Sequence, residues 1–300
     1  ERSLRDWRRE KYNISYEALL KLYNISHIPA PTIIKVLQEY WNAKKASRLG
    51  AIRRNELYGN PGTPEGRRKG GITTVRKFRE NPEFAKKLRF KLRIPISIPK
   101  HSARLSEFFG IMLGDGYIKS NKTQIGVSFN FEIDYEYAKY IQGLIKELFN
   151  LNASIIQDNN DKSGVVLASN KNLVEFLIRE GLKRGNKVTN QVNVPKWIIS
   201  VREYRYACLR GLLDTDGSFY SYSHRVNGKI YNNYALDFTN HSFPLLRSVE
   251  NIFRNDLGCY PSLRKYKVVV HKRQDIKHYI STIGSSNQRI MENFYNSGIS

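Results

Sequence analysis

Two segments of this chain repeat one pattern: Phe108-Phe109-Gly110-Ile111-Met112-Leu113-Gly114-Asp115-Gly116 and Leu209-Arg210-Gly211-Leu212-Leu213-Asp214-Thr215-Asp216-Gly217. Each is an apolar, helix-like run that closes on Asp-Gly. Each also places small residues four apart, Gly110/Gly114 and Gly211/Thr215, which lie on one face of an α-helix. Small residues at that spacing let two helix backbones approach closely, for reasons that are steric. A helix pair packed in this way brings Asp115 and Asp216 together at one end. The alternative is that the Asp-Gly pairs are only helix stops, with glycine supplying φ > 0. Against it, an acid at a helix C-terminus is opposed by the helix dipole, by about 0.3–1 kcal/mol. Both repeats accept that penalty, which favours a functional role for the acids.

Charge points to the class of partner. The 300 residues carry 50 Lys+Arg against 27 Asp+Glu, a net charge of +23. Residues 1–100 are the more basic part, with 24 cationic against 9 acidic side chains. Such a balance suits a polyanion, nucleic acid before a membrane surface, since no long basic amphipathic helix with an apolar opposite face stands out. A membrane partner is not expected, and neither a signal peptide nor a long apolar span is seen. The two cysteines, Cys208 and Cys259, lack metal-ligand spacing and read as buried thiols of an intracellular protein, in the cytoplasm of a prokaryote or in an organelle rather than secreted. Two carboxylates converging in so basic a chain suggest a metal site acting on a polyanion.

Residues 1–46 read as helical. Ser15 is a candidate cap for a helix through Tyr23, and after a break at 24–31 the period of Ile33, Leu37, Tyr40 and Trp41 suggests a second helix. The pair fits a helix-turn-helix offering Lys35 to a groove, or else a plain helical hairpin. Residues 47–99 are rich in Gly, Pro and cations, and are expected to be a basic extended linker with Arg67, Arg68 and Lys69 on phosphates, or otherwise a solvated connection.

From residue 100 the chain repeats itself. Gln124–Phe131 alternates polar and apolar residues as a half-buried strand does. Helix-periodic and strand-like runs then follow in the order α-β-β-α-β-β-α, twice. The expectation is an α+β fold in which two pseudo-symmetric halves, 100–198 and 199–300, form a saddle of antiparallel sheets. The small helical region and basic linker precede it.

Both repeated segments resemble the LAGLIDADG motif, and residues 100–300 resemble a single-chain LAGLIDADG homing endonuclease with an N-terminal DNA-binding extension. Two motifs, their separation and the element order carry the resemblance. It implies that each motif is a helix at the pseudo-twofold interface and that Asp115 and Asp216 bind divalent ions, with the carbonyls of Gly114 and Thr215 assisting. Mg²⁺ is the expected ion, with Mn²⁺ as a substitute and Ca²⁺ as a binder that does not support cleavage; carboxylates, waters and phosphate oxygens suit such hard cations. The resemblance further implies a basic residue near each acid. Lys187 fills that place in the first half, and Arg289 is the candidate in the second, where the corresponding segment 284–289 has no lysine. Asp214 is set aside as a local cap. Base-reading candidates on the strands are Lys119, Asn121, Gln124, Ser128 and Asn130, then Arg225, Asn233, Arg264, Lys265 and Lys267. The Thr63–Gly71 stretch resembles the DNA-binding add-ons of homing nucleases.

The expected function is thus intron-associated and site-specific: a monomer that makes a metal-dependent double-strand break in a long asymmetric DNA target. The alternative is an RNA maturase of the same fold, with intron RNA as partner, or a non-cleaving DNA-binding regulator.

Overall fold

The computed structural model describes residues 2–29, 35–38, 40–59, 62–88, 90, 93–120, 123–158 and 162–299. By its contacts the chain divides into two units, Glu1–Phe90 and Lys91–Ser300.

The first unit holds α1 (Arg2–Arg8), α2 (Tyr16–Ser26), α3 (Trp41–Tyr58), α4 (Pro64–Glu80) and α5 (Pro82–Lys87). Ser15 caps α2, its hydroxyl accepting from the Ala18 amide at 3.3 Å. The expected second helix of a helix-turn-helix is not where the period placed it. Residues 35–38, Lys35 among them, are not helical, residues 30–34 and 39 lie outside the described residues, and the next helix begins at Trp41. The expected extended linker is also corrected, because most of residues 47–88 is helical. Straight-chain residues and alanine dominate α3, and these lose little freedom in a helix. In α4, Thr63 accepts from the Gly66 amide at 3.1 Å, Pro64 stands in the first turn, Glu65 faces the positive end of the dipole, and Lys77 and Arg79 face the negative end. Those terminal signals outweigh the glycines of Gly66-Arg67-Arg68-Lys69-Gly70-Gly71. Arg67, Arg68 and Lys69 are exposed on α4. Phe78 anchors a small cluster with Phe84 and Phe90.

The second unit is built twice over. Its first half runs α6 (Ala103–Leu113), β1 (Gly116–Ile118), β2 (Gln124–Asn130), α7 (Tyr135–Phe149), β3 (Ser154–Gln157), β4 (Ser163–Ser169), α8 (Lys171–Arg179) and the short α9 (Lys196–Ile199). The second runs α10 (Arg202–Asp216), β5 (Gly217–Val226), β6 (Lys229–Thr239), α11 (Phe243–Asn251, continued by a π-helical turn Ile252–Asp256), β7 (Ser262–Arg264), β8 (Lys267–Val270), α12 (Arg273–Thr282) and α13 (Gln288–Asn296). Each half folds one four-stranded antiparallel sheet, in the orders β1-β2-β4-β3 and β5-β6-β8-β7. Alternation sets the faces. Ile125, Val127 and Phe129 point into the core, while Gln124, Gly126, Ser128 and Asn130 share the other, open face.

The motif helices form the axis. All of α6 from Leu105 to Leu113 is buried, and α10 buries Ala207, Cys208, Leu209 and Gly211 to Asp214. A methyl group at Gly110 would overlap the Cys208 carbonyl oxygen, and one at Gly211 would overlap the Glu107 carbonyl oxygen. Only glycine permits that approach. The helix-stop reading fails, since neither Gly116 nor Gly217 has positive φ. Across the pair, the fully buried Glu107 accepts from Arg210 Nη2 at 2.6 Å, Ser286 Oγ at 2.7 Å, Tyr140 and Arg104. Burial opposes its charge, but the Arg210 guanidinium and the two hydroxyls more than offset this and hold the carboxyl below the ordinary range. Cys208 and Cys259 are buried free thiols.

Gly211→Ala is expected to force α6 and α10 apart and to destabilise the fold by about 1–3 kcal/mol, the usual range for overpacking. Urea unfolding measures this, and an unchanged midpoint would contradict the backbone-to-backbone contact.

Candidate active site

The acids sit where each motif helix hands over to its sheet. Asp216 is the last residue of α10, and Asp115 follows Gly114, the cap of α6. Asp115 enters β1 through its own carbonyl, which accepts from the Ser128 amide at 3.2 Å. Because the helices touch along Gly110 and Gly211, the two carboxylates interact. Burial first, then the charges of Asp216 and Asp134, push Asp115 up to about 7 against the pull of Lys187. Burial raises Asp216 as well, opposed by a hydrogen bond from Asn240 and by Lys187. Asn240 Nδ2 donates to Asp216 Oδ2 at 2.7 Å, while its Oδ1 accepts from the Ser242 amide at 2.8 Å, so the turn after β6 aims it.

Lys187 is the cation that serves both acids. Its ammonium donates to the Leu113 carbonyl at 3.1 Å and to the Gly114 carbonyl. Burial lowers its pKa, and Asp216 and Asp115 pull it back up. Asn186 sets the local turn by accepting from the amides of Val188 and Thr189. The Gly114 carbonyl, an expected metal ligand, is thereby held by lysine in this structure. Thr215 lies in the last turn of α10, where carbonyls lack helical partners, and its hydroxyl donates back to Gly211 and Leu212.

Arg289 does not take the corresponding place in the second half. Its Nε donates to Asp134 Oδ1 at 2.9 Å, and it is not among the charges acting on Asp115 or Asp216. The segment before it is spent on packing. Ser285 and the Ser286 amide donate to the buried Asp214, and Asn287 Nδ2 donates to Asp134 and to the Asp214 carbonyl. Asp214 is therefore a structural acid.

The open faces carry most of the strand candidates. Gln124, Ser128 and Asn130 share one with Tyr117, and Lys119 continues that alternation beyond β1. Asn121 lies outside the described residues. In the second half Asn233, Arg264 and Lys267 share a face with Tyr220, Tyr222, His224 and Tyr231. Lys267 Nζ donates to the buried Asp237 at 2.9 Å. Lys265 is exposed in the turn between β7 and β8. Arg225 is corrected: it shares parity with the buried Phe219 and lies on the other face of its strand. Beyond the pairing of β8, the outer parts of β5 and β6 continue as a two-stranded ribbon closed by Asn227 and Gly228, both at positive φ. Its exposed tyrosines were not anticipated, although Asn-Gly between alternating residues is a strong hairpin signal.

Among the described residues no cluster of three or more His, Cys, Asp or Glu could hold a metal. Two under-partnered, mutually repelling carboxylates nevertheless fit a hard cation that takes one or two carboxylates and completes its shell with phosphate oxygens and water. No described helix is long and apolar enough to cross a membrane.

Residues 106–196 match the family model described as the WhiA LAGLIDADG-like domain. The chain matches no curated protein sequence. Among solved structures it is similar to full-length DUF199/WhiA from Thermatoga maritima, at 16% identity and a TM-score of 0.42, covering 66% of this chain and 61% of that one. It is also similar to I-SmaMI bound to uncleaved DNA in the presence of calcium ions, at 12% identity and a TM-score of 0.45, covering 65% and 89%. A third similar structure is I-DmoI in complex with DNA and Mn, at 18% identity and a TM-score of 0.41, covering 62% and 98%.

The raised Asp115 has a consequence for stability. The folded state binds this proton more tightly than the unfolded chain, so its contribution is fully present below the ordinary value of 3.8 and is lost as pH rises towards 7. In metal-free buffer, urea unfolding between those pH values should show a shallower loss of stability for Asp115→Asn than for the native chain. The expected difference at the upper end is on the order of 1–4 kcal/mol. Parallel profiles would rule the buried repulsion out.

Proposed function

We propose that the chain is a divalent-metal-dependent DNA endonuclease that cuts both strands of a long asymmetric duplex, working as a monomer. The observation that carries this reading is the half-buried pair Asp115 and Asp216, held together by the motif helices at the base of two open sheets. Asp115 and Asp216 would hold the ions, Mg²⁺ by the chemistry of their oxygens, with the Thr215 carbonyl beside them. When bound, the ions would neutralise charge on the scissile phosphate and the leaving 3′ oxygen. The chain's own groups do the rest. Asn240 fixes the orientation of the Asp216 carboxylate. Lys187, a desolvated ammonium beside both acids, can stabilise developing negative charge or, once deprotonated, accept a proton from an attacking water. The open faces supply polar, aromatic and cationic side chains to a duplex. In the first unit Arg67, Arg68 and Lys69 would add salt-dependent contacts to phosphates.

A second reading is a protein of the same fold that binds DNA without cutting it. It is favoured by the match of residues 106–196 to a WhiA-type domain and by the engagement of the Gly114 carbonyl by Lys187.

Cleavage assays on duplexes drawn from a randomised pool, with Mg²⁺, separate the two. Asp115→Asn and Asp216→Asn should each abolish cutting while leaving retention of the duplex within about threefold, a change of well under 1 kcal/mol. Lys187→Met should slow cutting by about 10²-fold or more. Retention of duplex without cutting by the native chain, under Mg²⁺ or Mn²⁺, would establish the second reading instead.

A further inference from the structure

The two sheets can be superposed residue by residue through their pairing. Gly116 faces Val127 as Gly217 faces Phe238, Gly126 faces Leu167 as Asp237 faces Val269, and Ser154 faces Leu167 as Ser262 faces Val269. The same register makes Val165 the counterpart of Lys267 and Ile156 the counterpart of Arg264. On the open face Val165 and Ile156 are themselves cross-strand partners, as Lys267 and Arg264 are. One half therefore carries an aliphatic pair where the other carries two cations.

Neither pair is incidental packing. Ile156 is 48% exposed and Val165 is half-buried, although Val166 and Ala168 on the opposite face of β4 are covered by the core. Next to them on the same face stand Leu167 and the ring of Tyr117, which lies over Gly126 so closely that a methyl there would overlap it. These four make a contiguous apolar strip on a surface otherwise polar, and such a strip marks a contact surface. Across the pseudo-twofold, Asp237 is buried beneath Lys267 and accepts from its ammonium, which holds that side chain in place beside the exposed Arg264.

We infer that the two halves read chemically different bases at equivalent positions: the Ile156/Val165 pair recognises thymine through its C5-methyl group, and the Arg264/Lys267 pair recognises guanine through O6 and N7. In the major groove only thymine presents a methyl group, and guanine presents the two acceptors suited to Arg or Lys. An aliphatic pair cannot satisfy a guanine edge, and a cation pair gains nothing from a methyl. The inference rests on the duplex-binding reading above and adds the base identity to it. The half-site over the first sheet thus contains an obligatory thymine step, and its partner contains guanine at the mirrored place.

The test uses the full chain and duplexes that it enriches from a randomised pool. Within the enriched sequence, each thymine is replaced in turn by deoxyuridine, which lacks the methyl, and each guanine by 7-deazaguanine, which lacks N7. Deoxyuridine at the step over the first sheet should weaken binding about fourfold per methyl lost, and 7-deazaguanine at the mirrored step should weaken it about tenfold. The double variant Ile156→Arg with Val165→Lys should lose the deoxyuridine effect and shift enrichment at that step from thymine to guanine. Ile156→Ser with Val165→Ser should lose the effect without gaining guanine. A thermal melt of each variant guards against misfolding, and the native-chain arms stand without the variants. Indifference to every deoxyuridine, or an unchanged deoxyuridine effect in the folded variants, overturns the inference while leaving duplex binding intact. Failure to enrich any duplex removes the binding reading itself, and the base assignment with it.

Discussion

The close approach of α6 and α10 is the constraint on which the second unit depends. Gly110 lies against the Cys208 carbonyl and Gly211 against the Glu107 carbonyl, so the two helices meet backbone to backbone with no side chain between them. That contact fixes three things together. It makes the interface between the halves, it sets the separation of Asp115 and Asp216, and it orients each sheet by the strand that leaves each helix end. Apolar packing alone would tolerate sliding along such smooth surfaces. Glu107 removes that freedom, because its carboxylate needs Arg210 from the facing helix and Ser286 from the far half. A buried ion pair of this kind adds little net stability, but breaking it strands a charge, so it favours one register strongly.

The same contact explains why the halves are unequal. Symmetry would put a cation after α12 where Lys187 stands after α8. The segment 284–289 is instead committed to the interface, with Ser285 and Ser286 on Asp214, Ser286 also on Glu107, and Asn287 and Arg289 on Asp134. A residue that holds two halves together is not free to serve a reacting phosphate. Lys187 consequently bears on both acids, and the asymmetry of the centre follows from how the interface is stitched.

Much of this was legible in the residues. The repeated small-x-x-x-small spacing gave the helix pair, and the strict alternation of Gln124–Phe131 gave a strand with one wet face. Both signals are local and periodic, which is why they survive without coordinates. The misses are equally physical. The glycines of α4 suggested an extended chain, but Thr63, Pro64 and Glu65 at its start carry the stronger message, and termini decide where propensity is balanced. Arg225 lies on the other face of β5 because one residue along a strand reverses its side, and it shares parity with the buried Phe219. Arg289 was claimed by Asp134, a partner 155 residues away in sequence, and no local pattern can announce such a pairing.

Four acids of the motif region show how environment separates structural from chemical roles. Glu107 is fully buried but surrounded by donors, and it is held in its charged form. Asp214 is buried and pushed up to about 7, a value that taken alone would nominate it as a functional group. Yet Ser285 and the Ser286 amide both donate to it, and it has no open side from which a substrate could approach. Asp115 and Asp216 are different in kind. They are raised by burial, they repel or sit beside one another at the mouth of the open faces, and a single lysine is shared between them. Perturbation without a full set of partners is costly to a folded chain, and a fold built only for stability would replace one of these acids with an amide. Geometry and unmet charge together, rather than either alone, are what support the proposal that this pair is the centre of the molecule's chemistry.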